Sequence, residues 1–176
     1  MKNIAVILLL GSIMSCSDQI RVRSDYDAEV DLTKFKTFNW LPAKEIESKN
    51  NPLLLNELTF KRLRKAIDQQ LALKQVQFSD SNPALLVHYH IIVDNRTAIR
   101  PAVYGYNYGA YWMRNQVDAY QYREGTLIID LMDASNRNLL WRGWGTSVMD
   151  DTIDLTEEQI NGAVAKILKS FPPSKK

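Results

Sequence analysis

His88 and His90 are the only histidines in the chain. They lie two residues apart in Ala84-Leu85-Leu86-Val87-His88-Tyr89-His90-Ile91-Ile92-Val93, a run of β-favouring residue types. Side chains alternate along a strand, so both imidazoles project from one face. Two nitrogens on one face can share a metal ion, but a zinc site needs about four ligands in all. Asp130, on a later predicted strand, is the carboxylate placed on that face. The same spacing suits two partly buried histidines held by hydrogen bonds. On sequence alone this plainer reading is the stronger, so no metal or other cofactor is expected.

Other chemistry has less behind it. A single cysteine, Cys16, excludes a disulfide within the chain and a Cys-based zinc site. Neither Gly-x-Ser-x-Gly nor Ser-x-x-Lys occurs, and Gly105 and Gly109 lack the lysine and following helix of a phosphate loop. Asp94, Asp118, Glu124, Asp130, Asp150 and Asp151 offer carboxylates, yet a catalytic pair is defined by its separation in space. The expectation is therefore a protein that is not an enzyme. The rival is a metal-dependent hydrolase working at His88, His90 and Asp130.

The aromatic residues point to binding. Residues 101–122 read PAVYGYNYGAYWMRNQVDAYQY and hold six of the chain's eight tyrosines. Tyr104, Tyr106, Tyr108, Tyr111 and Trp112 are its centre. Tyrosine brings a large contact area at the cost of two torsions and keeps a polar tip, which suits it to binding surfaces. Loops this long are usually functional or disordered. A hairpin extension packed back on the domain is the competing reading. A nucleic-acid stacking platform needs a basic groove, and this stretch has only Arg114, with Arg123 just beyond it.

The elements around these residues follow from periodicity. Ile20-Arg21-Val22-Arg23 alternates, and Thr37-Phe38-Asn39-Trp40-Leu41 reads as a short strand. Asn51-Pro52 would open a helix whose stripe is Phe60, Leu63, Ile67 and Leu71. Lys61, Arg62, Arg64 and Lys65 lie off that stripe and read as a solvated face. Val76-Gln77-Phe78 is a short strand. The run at 84–93 is apolar on both faces and should be central in its sheet. Residues 126–132 and 139–144 form an antiparallel pair about the turn at Asp133-Ala134-Ser135-Asn136. Leu127, Ile129 and Leu131 share one face, as do Leu139, Trp141 and Gly143. Gly143 and Gly145 leave room for a side chain packing across them or mark a bulge. Trp141 and Trp144 point to opposite faces, and Asp130 can pair with Arg142 across the hairpin. Thr156 and Gln159 have capping-box spacing before Ile160, Ala163, Val164, Ile167, Leu168 and Phe171. The fold class is α+β, a two-layer sandwich. Its sheet is mixed and mostly antiparallel, of about five strands, with two amphipathic helices on one face. The strands flanking the first helix should be parallel.

The chain begins with Met1-Lys2-Asn3 and an apolar run of seven residues at 4–10. Such a run is roughly 10 Å long as a helix, too short for a hydrocarbon core of about 30 Å. A basic start, a short apolar run and small residues near a cut define a signal peptide. Ile13-Met14-Ser15-Cys16 resembles the bacterial lipobox. That resemblance implies that Cys16 is lipidated and becomes the mature N-terminus, and two or more acyl chains give stable anchoring. The expected organisation is a signal peptide at 1–15, an anchor and short tether at 16–19, and one domain at 20–173. Ser17 after the anchor is compatible with the outer membrane. With 22 basic and 20 acidic side chains, the net charge of +2 does not suggest a nucleic-acid partner.

Several motifs in order complete the picture. They are Asp25-Tyr26-Asp27, Phe35-Lys36-Thr37-Phe38, Asn51-Pro52-Leu53, Ala84-Leu85-Leu86-Val87-His88-Tyr89-His90, Tyr122-Arg123-Glu124-Gly125-Thr126-Leu127, Leu140-Trp141-Arg142-Gly143-Trp144 and Phe171-Pro172-Pro173. Together they resemble the bacterial envelope lipoproteins grouped as domain-of-unknown-function family 4136. The resemblance implies one small α+β domain with a Gly/Tyr-rich central loop, and it implies no catalytic residues. The resulting expectation is a lipid-anchored envelope protein. Its Tyr/Gly loop would bind another envelope protein or a glycan. An apolar-ligand carrier with a cavity between sheet and helices is a further alternative.

Overall fold

A computed structural model describes residues 20–41, 56–101, 117–149 and 155–173. The elements run β1 (Arg21–Tyr26), a 3-10 turn (Leu32–Lys34), β2 (Thr37–Trp40), α1 (Glu57–Leu73), β3 (Gln77–Phe78), β4 (Leu85–Pro101), β5 (Val117–Asp133), β6 (Leu139–Met149) and α2 (Glu157–Leu168). The strands form one mixed sheet in the order β1-β6-β5-β4-β2-β3. Strand β1 pairs antiparallel with β6, β6 with β5, and β5 with β4. Strand β2 is parallel to both β4 and β3. The strands flanking α1 are thus parallel, as a crossover helix requires. The fold is the expected α+β sandwich, with six strands where about five were expected.

Helix α1 begins later than Asn51-Pro52 suggests. Asn56 is its cap, with extended backbone at φ −112° and ψ 171°, and its side-chain oxygen accepts from the Thr59 N–H at 3.0 Å. Residues 51–55 lie outside the described residues. Leu63, Ile67 and Leu71 are buried as the spacing predicts, and Phe60 packs at the margin. Helix α2 has the full capping box. The Gln159 N–H donates to Thr156 Oγ1 at 3.2 Å, and the Thr156 N–H donates to Gln159 Oε1 at 3.0 Å. Its buried face is Ile160, Val164, Ile167 and Leu168, continued by Phe171.

Both helices pack on the same face of the sheet, against Leu85, Val87, Tyr89, Ile129, Leu131 and Trp141. Each large apolar side chain buried there contributes about 1.5–3 kcal/mol. Glycines seat the largest of them. The Trp141 indole lies over Gly143, its edge toward Phe171 with centroids 5.5 Å apart. A Cβ added at Gly143 would overlap that ring and stand 2.9 Å from Ile167 Cγ2. One added at Gly145 would stand 3.0 Å from both Ile167 Cδ1 and Ile20 Cγ2.

Three expectations change. Strand β4 is internal, but only one of its faces is buried: Leu85 and Val87 are closed off, while His90 and Ile92 are exposed. The cause is the placement of both helices on one side. Leu139 does not share the face of Trp141. The register shifts between Leu131 and Met132, which pair with Trp141 and Leu139. Leu140 is the extra residue of a bulge, and it is buried beside Trp141 while Leu139 faces solvent. Finally, the segment between the long strands is shorter than 101–122. Pairing continues to Pro101↔Val117, whereas β6 ends at Met149↔Arg123. Beyond that point β4 and β5 form a two-stranded arm. Residues 94–101 carry no apolar period, so only pairing with a neighbour reveals them as strand.

The glycine seats predict opposite effects of one substitution type. Gly143→Ala should lower the unfolding free energy by about 1–3 kcal/mol through overpacking. Gly162→Ala, in α2 with nothing within 4 Å of the added Cβ, should raise it by roughly 0.5–1 kcal/mol. Urea denaturation of the two variants measures both, and equal effects would contradict the seat assigned to Trp141.

Candidate functional site: the open face of the sheet

Register assembles the face opposite the helices. Asp25, Arg142, Asp130 and His88 form one row across β1, β6, β5 and β4. The next row is Arg23, Trp144, Ile128 and His90, and the one beyond is Arg21, Thr146, Thr126 and Ile92. These residues alternate with core residues on the same strands, which fixes their side.

Asp130 is the centre of the first row and is 4% exposed. Arg142 Nε donates to its Oδ1 at 2.6 Å and Arg142 Nη2 to its Oδ2 at 2.7 Å. This planar two-bond geometry is the strong form of an ion pair. Its hydrogen bonds to Asp130 raise the Arg142 pKa further above its ordinary value. His88 Nδ1 and His90 Nε2 are 3.0 Å apart, and His90 Nε2 is 3.8 Å from Asp130 Oδ2. One ligand atom from each of His88, His90 and Asp130 falls within 4.8 Å of the others. Burial of the His88 ring, and then the neighbouring His90, hold its pKa below the ordinary 6.5, against an opposing pull from Asp130.

A second network lies further along the face. Arg21 Nη2 meets Glu124 Oε1 at 2.6 Å, and Arg96 bridges Glu124 Oε2 at 3.3 Å and Asp94 at 3.4 Å. Thr126 and Thr146 share a hydrogen bond at 3.1 Å between the two networks. Sequence reasoning missed the Arg21–Glu124–Arg96 group, because its members come from three strands whose register no local pattern announces.

Several expected placements hold. Asp130 pairs with Arg142 across the hairpin, Trp141 is core, and Trp144 is half-buried on the opposite face. Three of the four basic residues singled out on α1 have partners. Lys61 pairs with Glu57 at 2.8 Å, Lys65 reaches Glu157 on α2 at 2.9 Å, and the Arg64 guanidinium lies 4.6 Å over the Trp40 ring. Trp40 Nε1 donates to Asp68 at 3.2 Å, and Trp40, Phe60, Lys61, Arg64 and Tyr89 line a recess of about 300 Å³. Cys16, Tyr104, Tyr106, Tyr108, Tyr111 and Trp112 lie outside the described residues. On β5, the rings of Tyr120 and Tyr122 are 5.9 Å apart. No described helix is long and apolar enough to cross a membrane.

Among the described residues the architecture is an α+β sandwich with both helices on one face of the sheet and a charged face opposite. Its sequence places it within a family: residues 22–173 match the one described as "Domain of unknown function (DUF4136)", and the chain belongs to it. No curated protein matches the chain. A crystal structure of a PDZ domain protein from Parabacteroides distasonis ATCC 8503 is similar over 90% of this chain, at 17% identity and a TM-score of 0.56. The similarity covers 37% of that protein, so this chain spans little more than a third of its length, and the likeness is one of fold. Two dodecamer structures of PelC from Paraburkholderia phytofirmans are similar over 85% of this chain and 95% of theirs. Their identities are 12% and 13%, with TM-scores of 0.49 and 0.44.

Two outcomes test this geometry. Arg142→Leu leaves a buried carboxylate without its charge-assisted bonds and should cost about 2–3 kcal/mol in denaturant unfolding. A cost near zero would remove Asp130 from the closed environment described. Because the folded state lowers the His88 pKa, the unfolded chain takes up the proton first. Stability should therefore fall as pH drops below about 6.5, and stop falling once folded His88 itself protonates. Melting temperatures in metal-free buffer from pH 7.5 downward should show a shallower slope for His88→Gln than for the parent.

Proposed function

We propose that the protein is a lipid-anchored component of a bacterial envelope, held at the outer membrane through Cys16, whose domain is a non-catalytic binding module. The observation that carries this reading is the one-sided sheet. Among the described residues no helix covers the face built by Arg142, Asp130, Trp144 and Ile92. In the sequence, Tyr104, Tyr106, Tyr108, Tyr111 and Trp112 fall between β4 and β5. Ile92 is 45% exposed on the face and Val148 62%. A charged centre with apolar residues at its margin suits a specific partner, since charge sets register while apolar area supplies affinity. The partner class is another envelope protein or a glycan.

The alternatives have less support. Asp130 is occupied by Arg142, and Asp94 and Glu124 both face Arg96, so the paired carboxylates act as ion-pair partners. A metal-dependent hydrolase would need His88, His90 and Asp130 with substrate access. An apolar-ligand carrier needs space between sheet and helices, where Ile67, Leu71, Val164, Ile167 and Leu168 are packed against the strands.

Photo-crosslinking in intact cells tests the reading. Photoreactive residues at Tyr108 and at Ile92 should give one adduct of defined mass, and the same residue at Leu73 on α1 should not. Equal labelling from Leu73 would overturn the assigned surface. With the photoreactive residue kept at position 108, replacing Tyr106, Tyr111 and Trp112 with Ser should abolish its adduct without changing the circular dichroism spectrum. Cys16→Ser should lose labelled palmitate and leave the membrane fraction; retention there would remove the anchor from the proposal.

A further inference from the structure

We propose that His88, His90 and Asp130 on the open face form a binding site for a zinc-class divalent cation. The reading rests on side-chain placement alone and is independent of the lipid anchor and of the Tyr/Gly loop. The two imidazoles stand on the same side of β4, and Asp130 lies directly opposite His88 in the register of β5. Two nitrogens bound to one tetrahedral zinc at about 2.0–2.1 Å lie roughly 3.3 Å apart. His88 Nδ1 and His90 Nε2 are 3.0 Å apart, already close to that separation. Asp130 Oδ2 is 3.8 Å from His90 Nε2, and one ligand atom from each of the three residues lies within 4.8 Å of the others.

The surroundings fit the class of ion. Arg142 holds both carboxylate oxygens and fixes the plane of Asp130, as partners behind a metal ligand commonly do. Its positive charge also offsets the negative charge of the carboxylate. An oxygen-seeking cation such as calcium gains little there, whereas nitrogen donors favour zinc and its neighbours. The His90 side chain is 48% exposed, which leaves the fourth position open to solvent. Without metal, the two rings satisfy one another through a hydrogen bond in which one nitrogen donates and the other accepts. Binding replaces that bond and makes both facing nitrogens ligands.

The test uses full-length, untagged protein, extracted from whole cells with detergent and stripped with chelator. Zinc is titrated by calorimetry, with calcium as the control cation. The expected result is one equivalent of zinc, with a dissociation constant at or below about 10 µM, and no calcium signal. Cobalt(II) in its place should give the visible absorption of a four-coordinate ion. His90→Ala, at a half-exposed side chain, should keep the fold by circular dichroism and weaken zinc at least about ten-fold. Asp130→Asn should do the same and also shift the cobalt spectrum. Weaker binding by the parent, or affinity unchanged in both His88→Ala and His90→Ala, would overturn the site.

Discussion

The seating of Trp141 on Gly143 is the contact on which the rest of the sheet depends. The indole is buried, bounded by Phe171 at its edge and by Ile167 from α2 beside it. A side chain at position 143 would lift it, and α2 could not approach the strand. The bulge at Leu140 serves the same end, because it turns both Leu140 and Trp141 into the dry layer. With α2 held there and α1 beside it, the helical layer is complete on one side. Everything that alternates out of that layer is committed to the other side. The open face is thus a consequence of how the core closes.

That commitment explains the chemistry of the open face. Its central strand, β5, contributes Asp130, a carboxylate too deeply placed to stand unpaired. Arg142 on β6 answers it from one side, and His88 and His90 crowd it from the other. Around this centre each strand supplies one kind of group: a guanidinium from β6, a carboxylate from β5, imidazoles from β4. A second clasp lies further along, where Arg21 and Arg96 hold Glu124 from strands on either side of it. Such ladders are specific because they need the register to be right at every step, and a one-residue slip would bury charges and expose the core.

The arm and the face together make a surface that the proposed membrane-tethered domain would present to a partner. Strand β1 begins within a few residues of Cys16, so such a tether would be short. The β4–β5 pair continues past the end of β6 and carries tyrosines in ring contact. The Parabacteroides distasonis protein has a similar fold and shares little sequence with this chain. A shared fold assigns no function by itself.

The sequence by itself determined the lipobox-like start, the family and the elements that bury a periodic stripe. Helix α2 and its capping box were readable because Thr156, Gln159 and the apolar positions are neighbours within two turns. The glycine seats were readable because a glycine weakens an apolar strand unless a neighbouring side chain packs across it, and two of them flank Trp144. What only the tertiary structure decided depends on contacts distant in sequence. The one-sidedness of β4 was hidden because its outward residues, Leu86 and Ile92, are as apolar as a buried face would be. The length of the arm was hidden because polar residues take strand pairing from a partner, not from their own period. The meeting of His88, His90 and Asp130 required the register of two strands about forty residues apart in the chain, and register is settled by the burial of Leu85, Val87, Ile129 and Leu131 on the other side of the same strands.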